Sequence, residues 1–419
     1  MPAAPHAAPL ESTGSNSLVV VGAGAAGLLA ALFAAKAGAR VRLLETRPKP
    51  GAKIRVSGGG RCNVLPSSVS SDDFATSGTR RTIRNLFGRW PLPDVRRFFE
   101  DELGVPLKTE PTGKVFPVSD RSKDVVDALL GACGRAGVEL VAGARVADIR
   151  TPVPGRASFE LATVCGETFA AASVVLATGG LSLPLTGSDG FGLRWLERAG
   201  HRIAPTHPAL VPLVTPSPWA ELAGVALPVR ATVVRDGRVA DDRRGDFLFT
   251  HRGFSGPVVL DVSGHFTSPT TNRAELRVGW GDVDDWDATL RAGGAGTVGG
   301  VVRNALPRRL ADRLLALAGV DPSTSRSELA RTERAWLVEI LARTVLPVSG
   351  SEGYRTAEVT AGGVILDDVV GKTLESRIVP RLFLCGELLD ATGRLGGYNF
   401  YWAWVSGRVA GEAAASVVS

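Results

Sequence analysis

Gly22-Ala23-Gly24-Ala25-Ala26-Gly27 sets three glycines at the GxGxxG spacing of a dinucleotide-binding turn. Each glycine has its own physical reason. Gly22 permits a tight turn, Gly24 removes a side chain that would block a pyrophosphate, and Gly27 lets a helix pack closely on a strand. Ala25 and Ala26 open that helix, whose unpaired N–H groups and positive dipole end suit phosphate oxygens. Glu45, about twenty residues on, can accept hydrogen bonds from ribose hydroxyls, and Thr46 follows it.

These residues need a strand before them and a strand after the helix. Leu18-Val19-Val20-Val21 is a short apolar run typical of a buried parallel strand. An Ala/Leu-rich helix from about 25 to 37 ends at Gly38, and Val41 to Glu45 reads as the next strand, completing a βαβ unit.

Three further segments bring chemistry to this frame. Residues 47–64 read as a loop dense in Gly, Lys and Arg, carrying Lys53 and then Ser57-Gly58-Gly59-Gly60-Arg61-Cys62-Asn63. Consecutive glycines leave bare backbone N–H groups suited to phosphates or a flavin ring, and Lys53 and Arg61 add positive charge. A second buried strand, Ser173 to Ala177, ends in Thr178-Gly179-Gly180. The third is Gly386-Glu387-Leu388-Leu389-Asp390, followed by Gly396-Gly397-Tyr398-Asn399. A late strand followed by Gly, an acid and a helix start suits FAD. Asp390 can bond a ribityl chain, and the helix beginning near Tyr398 can face the flavin pyrimidine carbonyl.

Between these segments, 80–104 and 120–137 carry helical periodicity, and 138–141 reads as a strand. Strands near 145–150, 157–162 and 167–171 read as a β-meander, with Arg145 and Val146 counted among the candidate cofactor contacts. From 195 to 355 short β-like runs alternate with Pro and Gly turns, then give way to helices near 304–345. The expected organisation is a disordered tail at 1–17, a cofactor domain in two parts at 18–194 and 356–419, and an inserted substrate or cap domain at 195–355. The fold class is α/β: a Rossmann-like two-dinucleotide-binding-domain FAD fold with an inserted, mainly β, barrel-like domain plus helices.

Taken together, these segments closely resemble the BaiN/RdsA-like FAD-dependent oxidoreductases, also called the YhiN-like or aminoacetone oxidase family. The resemblance is carried by Gly22–Gly27, Ser57–Asn63, Phe249-Thr250-His251-Arg252-Gly253-Phe254-Ser255-Gly256-Pro257, Thr360-Ala361-Gly362-Gly363-Val364, and Gly386-Glu387 through Asn399. They stand in family order over nearly the whole chain. One departure is Val64-Leu65-Pro66, where the family often continues with Thr-Asn. The resemblance implies an FAD domain with an inserted β-barrel domain and reductase or oxidase activity.

Two residues are candidates for chemistry beyond the cofactor. His251, beside a Gly-rich turn of the inserted domain, could act as a general acid or base, or bond backbone at the turn. Cys62 could lie near the flavin, or pack as a buried thiol; no CxxC pair accompanies it. Tyr401, Trp402 and Trp404 read as helix packing. No second GxGxxG is framed by a strand and an acidic partner, so NAD(P)H is expected as a transient co-substrate docking at the flavin, or else the enzyme is an oxidase.

Composition bounds the rest. The 419 residues include 44% hydrophobic and 21% charged, an ordinary globular balance. The net charge is +6 and the pI about 9.4, but the arginines are scattered, which argues against a nucleic-acid partner. Four cysteines without metal spacing, no apolar leader and no membrane-length run fit a reduced, cytoplasmic protein acting on a small molecule. The sequence leaves two rivals: a flavin-bound binding or regulatory protein without turnover, and an RNA-modifying flavoprotein. It does not set the oligomeric state.

Overall fold

The computed structural model describes residues 17–153, 157–216, 219–270, 274–292 and 296–418. They divide into two compact units. The first comprises the described residues up to Thr206 together with those from Val359 onward; the second is His207–Glu358. Both divisions fall later than the expected 194/195 and 355/356. Residues 195–206 stay with the first unit because the helix Phe191–Arg198 buries Trp195 and Leu196. The Trp195 indole N–H donates to the Ile149 carbonyl at 3.0 Å.

A five-stranded parallel sheet organises the first unit. Its order is Leu382–Leu384, Ser173–Leu176, Ser17–Val21, Arg40–Glu45, Glu139–Ala142. Ser17–Val21 is buried at every position, which is why its sequence is an unbroken apolar run rather than an alternating one. Ser17 pairs with Arg40 and so belongs to the strand; the rest of the expected tail lies outside the described residues. The meander forms a separate antiparallel sheet of Val146–Arg150, Phe159–Thr163 and Thr168–Ala171.

Two helices lie side by side against this sheet, Ala25–Lys36 and Tyr398–Ser416. Glycines set their spacing. A Cβ at Gly407 would stand 2.3 Å from the Ala26 carbonyl oxygen, and one at Gly411 2.2 Å from that of Ala30. The four-residue interval puts both glycines on one helical face.

Local detail departs from the sequence reading in two places. The segment expected as a loop contains the helix Ala52–Gly60, which breaks at Ser57 (ψ 151°) and turns left-handed at Gly58 and Gly59. The stretch 80–104 is not one helix. Pro91 ends Arg81–Arg89, Leu92–Arg97 follows, and Phe98–Glu102 continues as a wider π-type turn.

The second unit is a seven-stranded antiparallel sheet with helices Val298–Ala305, Arg308–Ala318 and Arg331–Arg343. Its strands run in the order Thr344–Leu346, Ala274–Trp280, Ala226–Arg235, Arg238–Phe249, Gly253–Ser255, Leu213–Val214, Gly350–Ser351. Phe247, Phe249, Phe254 and Trp280 are buried in its core. Among the described residues, no helix is long and apolar enough to cross a membrane, and no cluster of His, Cys, Asp and Glu could hold a metal ion.

Candidate functional site

The three fingerprint glycines occupy three different environments. Gly22 has φ 101°, donates its N–H to the Leu44 carbonyl at 2.8 Å, and would press a Cβ within 2.5 Å of the Ala177 oxygen. A Cβ at Gly27 would collide with the Gly22 carbonyl oxygen at 1.8 Å. A Cβ at Gly24 would meet nothing within 4 Å among the described residues. Two glycines are therefore closed by the protein itself, and the one assigned to the pyrophosphate faces open space, as a phosphate cradle requires. Ala25 and Ala26 open the helix behind it.

Glu45 ends the second strand and is almost wholly buried. Its Oε2 accepts from Ala23 N–H at 2.7 Å and its Oε1 from Arg47 N–H at 2.7 Å. Burial raises its pKa against the opposing pull of these bonds. Each oxygen keeps a lone pair for a hydroxyl donor.

Lys53, Ser182, Thr360 and Glu387 come from four separate segments and meet in one polar cluster. Lys53 Nζ donates to Glu387 Oε2 and to Ser182 Oγ, both at 2.7 Å. Glu387 Oε1 accepts from Ser182 Oγ at 2.7 Å and from Thr360 N–H at 2.9 Å. Thr360 Oγ1 in turn accepts the N–H groups of Leu181 and Ser182. Burial pushes the Glu387 carboxylate up, but the Lys53 ammonium and the hydrogen bonds outweigh it and hold it below the usual range. Gly180 sits against this cluster, where a Cβ would lie 2.4 Å from Thr360 Oγ1. Beside it, Thr178 Oγ1 is buried with no hydrogen-bond partner among the described residues.

The Ser57–Asn63 segment exposes backbone in the same manner. Gly58, Gly59 and Gly60 have φ of 56°, 68° and 87°, and a Cβ at Gly59 or Gly60 would meet nothing within 4 Å. Ser57 bonds the Ile54 carbonyl and closes the break. With its amide nitrogen toward the Leu65 and Val115 carbonyls, Asn63 accepts from Gly397 N–H at 3.2 Å. That contact ties the segment to the last helix.

Arg61 is engaged within the protein. It lies 3.9 Å over the Phe116 ring, 2.7 Å from Glu110 and 3.5 Å from Asp120. Cys62 has φ 63° and is fully buried, and burial pushes its thiol up to about 12. It stays protonated at neutral pH, an environment for packing rather than redox attack. Arg145 pairs with Asp189 at 2.8 Å, while Val146 is buried.

Asp390 accepts from Thr76 Oγ1 and from the backbone and hydroxyl of Ser77. Asn399 spends both ends of its amide on the preceding turn: Oδ1 accepts from Gly393 N–H at 2.8 Å, and Nδ2 donates to the Gly393 and Arg394 carbonyls. It fixes the turn at Gly396 (φ 116°) and Gly397 (φ 93°), which caps the helix starting at Tyr398. Trp402 donates to the Gly386 carbonyl and Trp404 to that of Val64, both at 2.9 Å and both buried, so they hold the site from behind. His251 belongs to the second unit and is exposed in the turn after Arg238–Phe249. There Thr250 Oγ1, not the imidazole, accepts the turn's N–H groups.

Sequence reasoning missed Ser182, Ser77 and the role of Thr360. Thr360 lies in a quoted motif, but only the fold reveals that its hydroxyl braces the Gly180 turn. The open backbone at Gly24, Gly59 and Gly60 and the unpartnered Thr178 hydroxyl fit FAD.

The HI0933-like protein Rossmann domain model matches residues 16–413. The ribosomal RNA dihydrouridine synthase of Escherichia coli (strain K12) is 35% identical over 403 residues, covering 93% of this chain and 95% of that protein. The 3-dehydro-bile acid delta(4,6)-reductase of Clostridium scindens is 31% identical over 412 residues, covering 96% and 99%. Among solved structures, the 3-ketosteroid-delta4-(5alpha)-dehydrogenase of Rhodococcus jostii RHA1 is similar with a TM-score of 0.53, at 17% identity, covering 98% and 99%. At that identity the likeness speaks to the fold alone.

Proposed function

The chain belongs to the HI0933-like Rossmann family of FAD-dependent oxidoreductases, and from that premise we propose that it reduces a carbon–carbon double bond conjugated to a carbonyl group, with NAD(P)H as the electron donor. The observation that carries the reading is the ready-made dinucleotide cradle, open at Gly24, Gly59 and Gly60 and closed elsewhere. The relatives' names support the choice of bond. A dihydrouridine synthase and a delta(4,6)-reductase are named for different substrates but for one kind of change, two hydrogens added across a double bond.

When bound, FAD supplies the hydride chemistry. The chain's own residues supply the rest. Glu45 takes the adenosine ribose hydroxyls, and the Gly22–Gly27 turn with the following helix N-terminus takes the pyrophosphate. The Lys53–Glu387 cluster fixes the Gly180 and Gly386 turns relative to each other, so the cofactor-facing backbone is pre-organised. Asp390 and the turn of Gly396, Gly397 and Tyr398 are assigned to the ribityl and flavin end.

The test is anaerobic mixing of FAD-loaded protein with NADPH or NADH, followed by a conjugated enone such as 2-cyclohexenone. Bleaching by the nicotinamide and recovery of colour with the enone support the proposal. Recovery with oxygen alone and none with any enone makes the protein an oxidase instead.

A second reading, with a base in RNA as substrate, is favoured by one surface. Arg80, Arg81, Arg84, Arg89 and Lys372 are exposed, and Arg89 donates to the Lys372 carbonyl, so the helix Arg81–Arg89 and the loop at Lys372 form one basic face. Among the described residues only Arg80 of these lies within ion-pair distance of a carboxylate, Asp72 at 3.7 Å. RNA retention that weakens steeply with salt, and weakens again in R81A/R84A, supports this reading; no retention at low salt sinks it.

A further inference from the structure

Lys114 opens the strand Lys114–Pro117 and pairs across the ladder with Pro66. The Gly396–Gly397 turn lies directly on this pairing, since a Cβ at Gly397 would come within 2.4 Å of the Leu65 carbonyl carbon. The Lys114 stem runs over Gly396. A Cβ there would meet Lys114 Cγ at 3.6 Å, Cε at 3.8 Å, and the Tyr398 ring at 3.8 Å. The lysine stem and the aromatic ring thus both lie against the same point beside Gly396.

Of the first unit's lysines that hold no carboxylate among the described residues, Lys49, Lys114 and Lys372, only Lys114 is not exposed. Lys36, Lys53, Lys108 and Lys123 each hold a carboxylate in an ion pair. Lys114 is half-buried and holds none among the described residues. Glu110, Asp120, Asp73 and Asp390 are committed elsewhere: Glu110 to Arg61, Asp120 to Lys108 and Arg61, Asp73 to Arg394, and Asp390 to Ser77. A half-buried lysine that holds no carboxylate, beside a glycine turn, can take an anionic partner.

We infer that Lys114 compensates the negative charge that two-electron reduction places on bound FAD at the Gly396–Asn399 turn, and so sets the cofactor's electron affinity. This rests on the FAD reading above and adds the side chain that tunes it. A fixed cation in a partly desolvated site stabilises the charged reduced form over the neutral oxidised form.

The experiment is dye-equilibration of the flavin midpoint potential in wild type, K114M, K114Q and K114R, with K372M as an exposed control of equal net charge. Either neutral variant is expected to shift the equilibrium with the dye about tenfold toward oxidised flavin, about 30 mV for the two-electron couple. K114R and K372M are expected to match wild type. An unchanged potential in K114M and K114Q overturns the inference, even if the substrate KM rises, because Lys114 would then be a substrate anchor. An equal shift in K372M overturns it too, as a net-charge effect. Wild-type protein that takes up no FAD is seen in the visible spectrum before any variant is made, and it removes the FAD reading and this inference together.

Discussion

The two glycine-rich turns of the site are built on opposite plans. In Gly22–Gly27 the first and last glycines are pressed against the protein's own backbone, and only the middle one is open. In Ser57–Asn63 the plan is reversed: a Cβ at Gly58 would meet Phe116 and Asn63 at 3.0 and 3.1 Å, while one at Gly59 or Gly60 would meet nothing within 4 Å among the described residues. The first turn is a structural joint with one window, and the second is a window with one joint. The cations show a parallel contrast. Lys53 joins a shielded cluster that ties four segments, with Lys53 and Glu387 side chains 23% and 19% exposed. Arg61, 39% exposed, makes a more solvated pair with Glu110. Neighbours, not residue type, decide which glycine is structural and which charge matters.

The largest effect should come from Gly27→Ala. With a backbone oxygen 1.8 Å from the new Cβ, the helix cannot keep its place. A loss of about 4 kcal/mol or more is expected, in the range of severe core strain. Soluble protein with a wild-type Tm would break the joint-and-window comparison.

Next is Lys53→Met, which strands the Glu387 carboxylate. About 3 kcal/mol is expected, the lower end for unpairing a buried charge. The double variant K53M/E387Q should recover most of it in urea unfolding. No recovery would mean that the two residues do not act as a unit.

The same pair gives a pH signature. The folded-state pKa of Glu387 lies below its ordinary value of 4.5. Its contribution to stability is therefore present above that value and is lost as pH falls through the lowered folded value. Wild type and E387Q should converge in stability on acidification below about pH 4; a gap that stays constant from pH 7 downward would contradict this.

Gly24→Ala sharpens the comparison from the other side. It should leave the apoprotein Tm within about 1 kcal/mol of wild type in stability while weakening FAD binding at least about tenfold. The smallest effect is expected for Arg61→Met, at most about 1 kcal/mol, because its ion pair is substantially solvated.

Much of this site was legible in the sequence because fingerprint chemistry is local. Gly22, Gly24 and Gly27 announce their turn through spacing, and the strands and helix around them follow from apolar runs and Gly38. The turn at Gly396–Gly397 that starts the last helix was legible for the same reason. What stayed hidden depends on contacts between distant segments. Nothing near Arg61 in sequence reveals that Phe116 and Glu110 will hold it, and nothing near Thr360 reveals Gly180. The helix inside 47–64 was masked by its glycines, which end it at Ser57. Gly407 and Gly411 were unreadable as packing glycines until the opposing helix was in place.

The most direct measurement is the visible spectrum of the purified protein, with the released cofactor identified and FAD titrated into apoprotein for wild type and G24A. The expected result is stoichiometric FAD in wild type and apoprotein G24A that folds but binds FAD poorly. A folded wild-type protein that is colourless and takes up no FAD would contradict the account.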